Sequence, residues 1–302
     1  MRSFLNLFII FCFLAFNQSL FAHTITKKEL IQISPRVIYG IDDREDVFES
    51  SDSLMKELSK SVAAQILTTH FDALLGQGSL DYVLGNKTLR DEGMCSTERF
   101  VDQPAEANCS GFLIGADILV TAGHCVRDAS QCANHFWVFD YANRDSVKAS
   151  AFHFDNDQVY KCTGVLSRVK EDGAGNDYAV LKLDRKVLGR KPLKIRKSGK
   201  VSNDAVLTVL GFPSGIPLKI TTGATIRDNS NSVFFTMNSD TYGGNSGSAV
   251  VDTRTGIVEG ILVRGDTDYM QEEGQECYSS VKREENFGRG EDATRITAIK
   301  LK

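Results

Sequence analysis

The sequence has little excess of charge of either sign: 35 Lys and Arg stand against 39 Asp and Glu, a net charge of −4. That excludes the basic footprint by which a domain holds nucleic acid, while so small an acidic excess leaves basic partners open. Neither a C-x-x-C pair nor an H-E-x-x-H run occurs, so no metal site and no cofactor is expected. There is no internal repeat and no low-complexity stretch. Beyond the first residues no apolar run is long enough to span a bilayer. No long helical pattern alternates with strand-like runs, which argues against a parallel α/β sheet. What remains is 302 residues, 42% of them hydrophobic, enough for one large domain or two smaller ones with proper cores.

The chain opens "MRSFLNLFIIFCFLAFNQSLFAH". One Arg, an apolar run from Phe4 to Phe16 and a small residue before His23 read as a secretory signal peptide, residues 1–22, cleaved after Ala22. Cys12 lacks a lipidation context, so no membrane anchor is expected once the signal is removed. Residues 23–36, polar and aperiodic, end at Arg36 before the apolar "VIYG" and read as a propeptide cleaved before Val37; the alternative is a disordered leader. Signal removal leaves Cys95, Cys109, Cys125, Cys132, Cys162 and Cys277. An even count in an exported chain favours disulfides over thiols and a secreted or periplasmic location.

Residues 52–69, "DSLMKELSKSVAAQILTT", place Leu54, Leu58, Val62 and Ile66 at helical intervals behind Ser and Asp caps and predict one amphipathic helix. Beyond Cys109 the texture changes to short β-branched and aromatic runs with Gly, Asn and Pro turns between them, the pattern of an all-β sandwich or barrel. The expected strands are "GFLIG", "DILVTA", "HFWVFDY", "VKASAFHF", "GVLSRVK", "YAVLKLD", "AVLTVLGF", "LKITTGATI", "SVFFTMN", "SAVVD" and "GIVEGILVR". The Lys- and Arg-rich stretch 184–198 reads as a linker between two halves. The Asp- and Glu-rich stretch 269–292 reads as a solvated surface element, the alternative being a calcium or partner role.

Three stretches carry candidate chemistry. In "CSGFLIGADILVTAGHC" the sixteen-residue separation of Cys109 and Cys125 suits a hairpin closed by a disulfide, stabilising by about 3 kcal/mol in the chain-entropy model. His124 stands against that bridge. A lone His is more often structural, but one clamped this way is a candidate oriented base. In "GAGNDYAVLKLD", Asp177 enters a strand from a Gly-rich loop and needs a donor if its carboxylate is buried. Turn amides or His124 would both serve. In "TYGGNSGSAV", Gly, Asn and Ser make a turn, and the same glycines let the amides of Gly244 and Ser246 converge as an oxyanion hole around a reactive Ser246. The run "GNSGS" does not fit G-x-S-x-G, and the order His, Asp, Ser differs from that of the α/β-hydrolases.

"TAGHC", "NDYAVLKLD" and "GGNSGSAV", in that order, resemble the chymotrypsin-like serine peptidases, in particular the bacterial branch that includes the glutamyl endopeptidases. The resemblance spans about residues 105–265, and "VIYGIDDRE" from Val37 is similar to the mature N-terminus of that branch. It implies two antiparallel six-stranded β-barrels, the first at about 57–184 and the second at about 199–268 of a peptidase domain 37–302, preceded by a helical extension. It implies Ser246 as nucleophile, His124 as general base and Asp177 as its orienter, with the Gly244 and Ser246 amides as the oxyanion hole. The implied activity is endopeptidase cleavage of proteins or peptides through an acyl-enzyme, by a monomer made as a zymogen. A non-catalytic binding module and an esterase are the alternatives.

Three departures bear on specificity and activation. Asn245 replaces the aspartate by which animal trypsins bind the new N-terminal amine. Leu262 stands where the Glu-cleaving branch has a pocket histidine, although Thr241 matches one of its pocket positions. Asp240 occupies the place of the acid that receives basic side chains in trypsins. Basic, acidic and neutral preferences therefore stay open. Cys132 and Cys162 flank strands of the first barrel, which favours Cys132 with Cys162 and Cys95 with Cys277 among the three pairings open to four cysteines.

Overall fold

The computed structural model describes residues 38–73, 82–143, 145, 152–173, 175–271 and 273–300. Ala22, Arg36 and Val37, the expected processing positions, lie outside them.

Six antiparallel strands close the first barrel: β1 (Val62–Leu67), β2 (Ala107–Gly115), β3 (Ile118–Thr121), β4 (His135–Phe139), β5 (Val159–Lys170) and β6 (Asp177–Leu183). Their order around the barrel is β5-β6-β3-β2-β1-β4, with β4 pairing back to β5. The second barrel holds β7 (Val206–Gly211), β8 (Lys219–Asp228), β9 (Phe234–Met237), β10 (Ala249–Asp252), β11 (Val258–Arg264) and β12 (Glu291–Arg295). It runs β7-β10-β11-β12-β9-β8 and closes through β7 with β8. Arg44–Asp46 adds a seventh strand on the outer side of β8. Closure removes the unpaired edges that a sheet otherwise exposes.

The helix expected over 52–69 stops early. Asp52 caps it as expected, accepting from the amides of Leu54 and Met55, but α1 spans only Ser53–Ser59. The chain then turns at Lys60–Ser61 and enters β1, hydrogen-bonded to β2 on one side and β4 on the other. Val62 and Ile66 are four apart because five of the six residues of β1 are buried on both faces, a pattern that periodicity alone does not separate from a helix. This strand fills the barrel place expected of "VKASAFHF". Of that run 147–151 fall outside the described residues, and His153–Phe154 pairs with Tyr82–Leu84 in a small separate sheet.

The second correction is β12. Its sequence "EDATR" lies beyond residue 268, where the second barrel was expected to end, and its first two residues fall in the tail read as solvated. All five residues are nonetheless buried, and their charged side chains are matched. Asp292 accepts from Thr236 Oγ1 at 2.8 Å and from Arg264 Nε at 2.9 Å, and Glu291 accepts from Thr241 Oγ1 at 2.5 Å. A buried charge that is paired and hydrogen-bonded avoids the cost of an isolated one.

Three bridges are formed: Cys109–Cys125, Cys132–Cys162 and Cys95–Cys277. The last ties the segment between β1 and β2 to the tail before β12.

The N-terminal residues are threaded along the second barrel. Ile38–Tyr39 pairs in parallel with Lys282–Arg283. The amides of Tyr39 and Asp43 donate to the two oxygens of Asp240, at 2.7 and 3.1 Å. Arg44, 2% exposed, pairs with Asp42 and lies 4.3 Å over the Tyr242 ring. Burial, then the neighbouring charge of Asp240, pushes the Asp43 carboxyl up to about 8, with Asp42 and Glu285 adding to it. Burial likewise pushes Asp240 up to about 6, although the Tyr39 and Asp43 amides and Arg44 pull it down.

These shifts set a pH dependence. An unfolded aspartate releases its proton near pH ~3.9, whereas the folded pair holds its protons up to pH 6–8. Between those limits the folded state binds more protons, so this pair's contribution to stability falls as pH rises. Thermal unfolding followed by circular dichroism from pH 5 to pH 8 is expected to show a smaller decline in Tm for Asp43→Asn than for the unaltered protein, with the variant the more stable at pH 8. Parallel curves for the two proteins would refute the assignment.

Candidate active site

Strand β3 ends at Thr121, and the chain makes a single 3-10 turn, Gly123–Cys125. Gly123 is required there, because a Cβ would overlap the Val169 carbonyl and lie 3.1 Å from Asp177 Oδ1. Without one, the backbone of His124 reaches the carboxylate at the start of β6. The His124 amide donates to Asp177 Oδ1 at 3.1 Å, and His124 Nδ1 lies 2.9 Å from Oδ2. An ionised carboxylate only accepts, so Nδ1 carries a proton, and in the neutral ring Nε2 keeps its lone pair.

Asp177 is 2% exposed. Burial works to raise its carboxyl, but the His124 ring and amide, with Lys170 Nζ at 3.8 Å, outweigh it and hold the carboxyl below its ordinary value. The acid therefore stays ionised at neutral pH.

Ser246 lies in the loop between β9 and β10. Gly244 and Gly247, on either side of it, have φ of +91° and +90°, the left-handed region where glycine meets no steric cost. A Cβ on Gly244 would overlap the Phe212 carbonyl, and one on Gly247 the Ser110 carbonyl. The carbonyl of Gly243 accepts from the Ser214 amide at 2.5 Å, and that of Asn245 from the Ser248 amide at 2.9 Å. In a trans peptide the N–H points opposite to the C=O, so the amides of Gly244 and Ser246 are both turned away from these partners.

The loop is fixed to the first barrel through Ser110. Its amide donates to the Ser246 carbonyl at 2.7 Å, and its hydroxyl to the Gly244 carbonyl at 2.8 Å. Thr121 Oγ1 in turn donates to the Ser110 carbonyl at 2.6 Å. His124, Gly244 and Ser246 consequently line one cleft, open to solvent, between the barrels. Asp177 stands behind His124.

The three expected pocket residues are placed otherwise. Asp240, the candidate receptor for basic side chains, spends both oxygens on the amides of Tyr39 and Asp43. Thr241 donates to Glu291, and Leu262 is fully buried in the core of the second barrel with Val250, Phe235 and Met237. None of the three lines the cleft. The Gly243 amide donates to Asp268 Oδ2 at 2.7 Å.

Sequence reasoning did not single out Ser110, Asp268 or Glu291. Ser110 carried a signal, since it follows Cys109 at the head of the hairpin. Glu291, inside "GRGEDATR", carried none. Among the described residues, the His, Cys and carboxylate group close enough to hold an ion is Cys109, His124 and Cys125, whose sulfurs are joined in the bridge.

Residues 109–261 match the family model of the trypsin-like peptidase domain. A search of curated proteins finds no match. Solved structures with a similar fold include a Glu endopeptidase in complex with MPD, 16% identical over 87% of this chain and 94% of that one, with a TM-score of 0.49. Another is the serine endoprotease of Yersinia pestis, 15% identical over 82% and 62% of the two chains, with a TM-score of 0.44. A third is the active form of a protease from M. tuberculosis, 16% identical over 81% and 80%, at 0.41. The family match takes in His124, Asp177 and Ser246 and about half of the sequence; the chain belongs to the trypsin-like peptidase domain family.

Proposed function

We propose that the protein is a secreted or periplasmic serine endopeptidase. The observation that carries this reading is the 2.9 Å contact of His124 Nδ1 with Asp177 Oδ2 behind a cleft that His124 shares with Ser246. Ser246 Oγ attacks the scissile carbonyl carbon and passes its proton to His124 Nε2. The amides of Gly244 and Ser246 receive the developing oxyanion, which their orientation supports. The C–N bond then breaks as His124 gives the proton to the leaving amine. Water, deprotonated by His124, hydrolyses the acyl-enzyme and restores Ser246. Asp177 holds the imidazole in its tautomer and stabilises the imidazolium.

Maturation by cleavage after Arg36 is part of the proposal. Support comes from the residues that follow, since Ile38 to Asp46 are docked by β pairing, by Asp240 and by the stacking of Arg44 on Tyr242. Tyr242 is four residues from Ser246, so a segment held on this loop braces the nucleophile. Export is supported by three disulfides.

A fluorophosphonate probe on matured protein is expected to label the unaltered chain and leave Ser246→Ala unlabelled, read by gel fluorescence; equal labelling of both would sink the proposal. Gly244→Ala is expected to lower kcat on a peptide substrate by about 100- to 1,000-fold, the range for losing one oxyanion donor, because the loop must shift to relieve the Phe212 carbonyl. A kcat within about threefold of the original, far short of that range, would reject the assignment of this amide. Asp240→Ser is expected to leave the preference for the residue before the scissile bond unchanged, while trypsin or thermolysin nicks the N-terminal segment faster. Loss of a basic preference in a cleavage-site library would instead return Asp240 to the pocket.

A further inference from the structure

Two glycines in succession, Gly243 and Gly244, precede Asn245 and Ser246. The peptide that joins them carries the Gly244 amide, one of the two proposed oxyanion donors. No side chain on either residue opposes rotation of that peptide, since glycine reaches φ of either sign at little cost. A half-turn would exchange its two ends: the Gly243 carbonyl would face the place meant for the oxyanion, and the Gly244 N–H would leave it. The local sequence therefore does not fix the donor. Contacts from elsewhere in the chain have to.

Gly243 is gripped at both ends. Its amide donates to Asp268 Oδ2 at 2.7 Å, and its carbonyl accepts from the Ser214 amide at 2.5 Å. In the rotated peptide the Gly244 N–H would meet that Ser214 amide, donor against donor. Asp268 is 1% exposed, and its own carbonyl accepts from the Val281 amide at 2.9 Å. Ser214 lies in the turn Pro213–Gly215 after β7, at φ +52°, a conformation that a residue with a side chain keeps only where its surroundings hold it. Here the holder is the residue after Asp268: Ser214 Oγ is hydrogen-bonded to the Tyr269 hydroxyl at 2.5 Å. Burial raises the Tyr269 phenol, so it is a neutral hydroxyl at pH 7. One dipeptide thus holds the Gly243 N–H directly and the Gly243 carbonyl through Ser214.

The dipeptide is itself tethered. The Tyr269 ring lies against that of Tyr242, the residue before Gly243, with centroids 5.0 Å apart. Tyr269–Met270 pairs antiparallel with Ser279–Ser280, and the Ser280 amide donates to Glu98 Oε1 at 3.0 Å. Cys277, in the connection between those two short strands, is bridged to Cys95. Asp268 and Tyr269 follow residue 261 and so lie outside the family match.

We propose that Asp268 and Tyr269 are positioning residues for the reaction, which lock the Gly243–Gly244 peptide with its N–H toward the oxyanion. The inference rests on the peptidase reading. Both residues act through Gly243, and molecules in which the peptide rotates lack one donor.

An ester and its thiono counterpart, with sulfur in place of the carbonyl oxygen, separate this role from a general loss of structure. The ester is the N-acetyl amino acid methyl ester that the unaltered protein cleaves fastest. Sulfur is the larger atom and the weaker acceptor, so two fixed donors favour the oxygen ester, and the preference shrinks as a donor is lost. The same active molecules read both substrates, so the ratio of the two kcat/KM values does not depend on the fraction folded. Asp268→Ala is expected to lower kcat/KM for the oxygen ester by about tenfold or more, up to the effect of losing one oxyanion donor, and to shrink the oxygen-to-sulfur ratio with it. Asp268→Asn keeps an acceptor for the Gly243 amide and is expected to fall between Asp268→Ala and the unaltered protein. Tyr269→Phe keeps the ring against Tyr242 and loses the Ser214 contact; its ratio is expected to shrink by about threefold, the effect of one hydrogen bond of ordinary strength. An unchanged ratio in Asp268→Ala would overturn the proposal, whatever its kcat/KM; should that variant not fold, an unchanged ratio in Tyr269→Phe would overturn it. Failure of the fluorophosphonate probe to label the unaltered protein would instead overturn the peptidase reading, whereas labelling with unchanged ratios in the variants overturns the positioning role alone.

Discussion

Everything in the candidate catalytic centre hangs on Ser110. The proposed nucleophile comes from one barrel and the imidazole from the other, and two rigid closed sheets do not by themselves hold a hydroxyl and a ring nitrogen in register. Ser110 supplies the register with both of its donors: its amide binds the Ser246 carbonyl and its hydroxyl the Gly244 carbonyl. Its own carbonyl is tied to Thr121, two residues before Gly123. One fully buried serine thus links the nucleophile loop to the strand that delivers His124, by hydrogen bonds that water cannot contest. The Cys109–Cys125 bridge clamps the neighbours of both Ser110 and His124, so the covalent and hydrogen-bonded restraints reinforce each other.

The same logic explains the glycines. Positions 123, 244 and 247 are each pressed against a backbone carbonyl from another element, so the loops are packed as closely as backbones can be. A catalytic geometry that must hold to a fraction of an ångström is better set by such contacts than by long side chains, whose rotamers cost entropy to fix. The buried Asp177 fits this economy. Its two oxygens are satisfied by one residue, through the ring and the amide of His124, and ring orientation and charge compensation become a single interaction.

How much of this was legible in the sequence follows from which signals are local. Strands such as "DILVTA" and "YAVLKLD" announce themselves because β-branched and aromatic runs between turn residues have no other good conformation. His124, Asp177 and Ser246 stand out as candidates because glycine or cysteine punctuates each of them. The strand Val62–Leu67 was not, because a run buried on both faces has no period to betray it, and a genuine helix cap at Asp52 sits just upstream. Glu291–Arg295 was hidden for a different reason. Its burial depends on partners 28 to 56 residues away in sequence, and no local pattern encodes that. Asp240 shows the same limit at a single residue: its position before the nucleophile was readable, but what its carboxylate faces is decided by a segment two hundred residues earlier.

These hidden pieces share a location. Residues 109–261 carry the candidate triad and match the family, but neither barrel is complete within them: β1 precedes the match and β12 follows it. The flanks then do more than finish the barrels. The N-terminal segment takes Asp240 and stacks on Tyr242, the tail places Glu291 on Thr241, and the segment around Leu89 and Met94, bound to that tail through Cys95–Cys277, lines the cleft. Three chain segments far apart in sequence therefore converge on the loop that holds Ser246. The candidate triad lies in the part that matches the family, where backbone contacts leave little freedom. The expected pocket residues at 240 and 241 are taken up by the flanks, Asp240 by the amides of Tyr39 and Asp43 and Thr241 by Glu291, so neither is left to face the cleft.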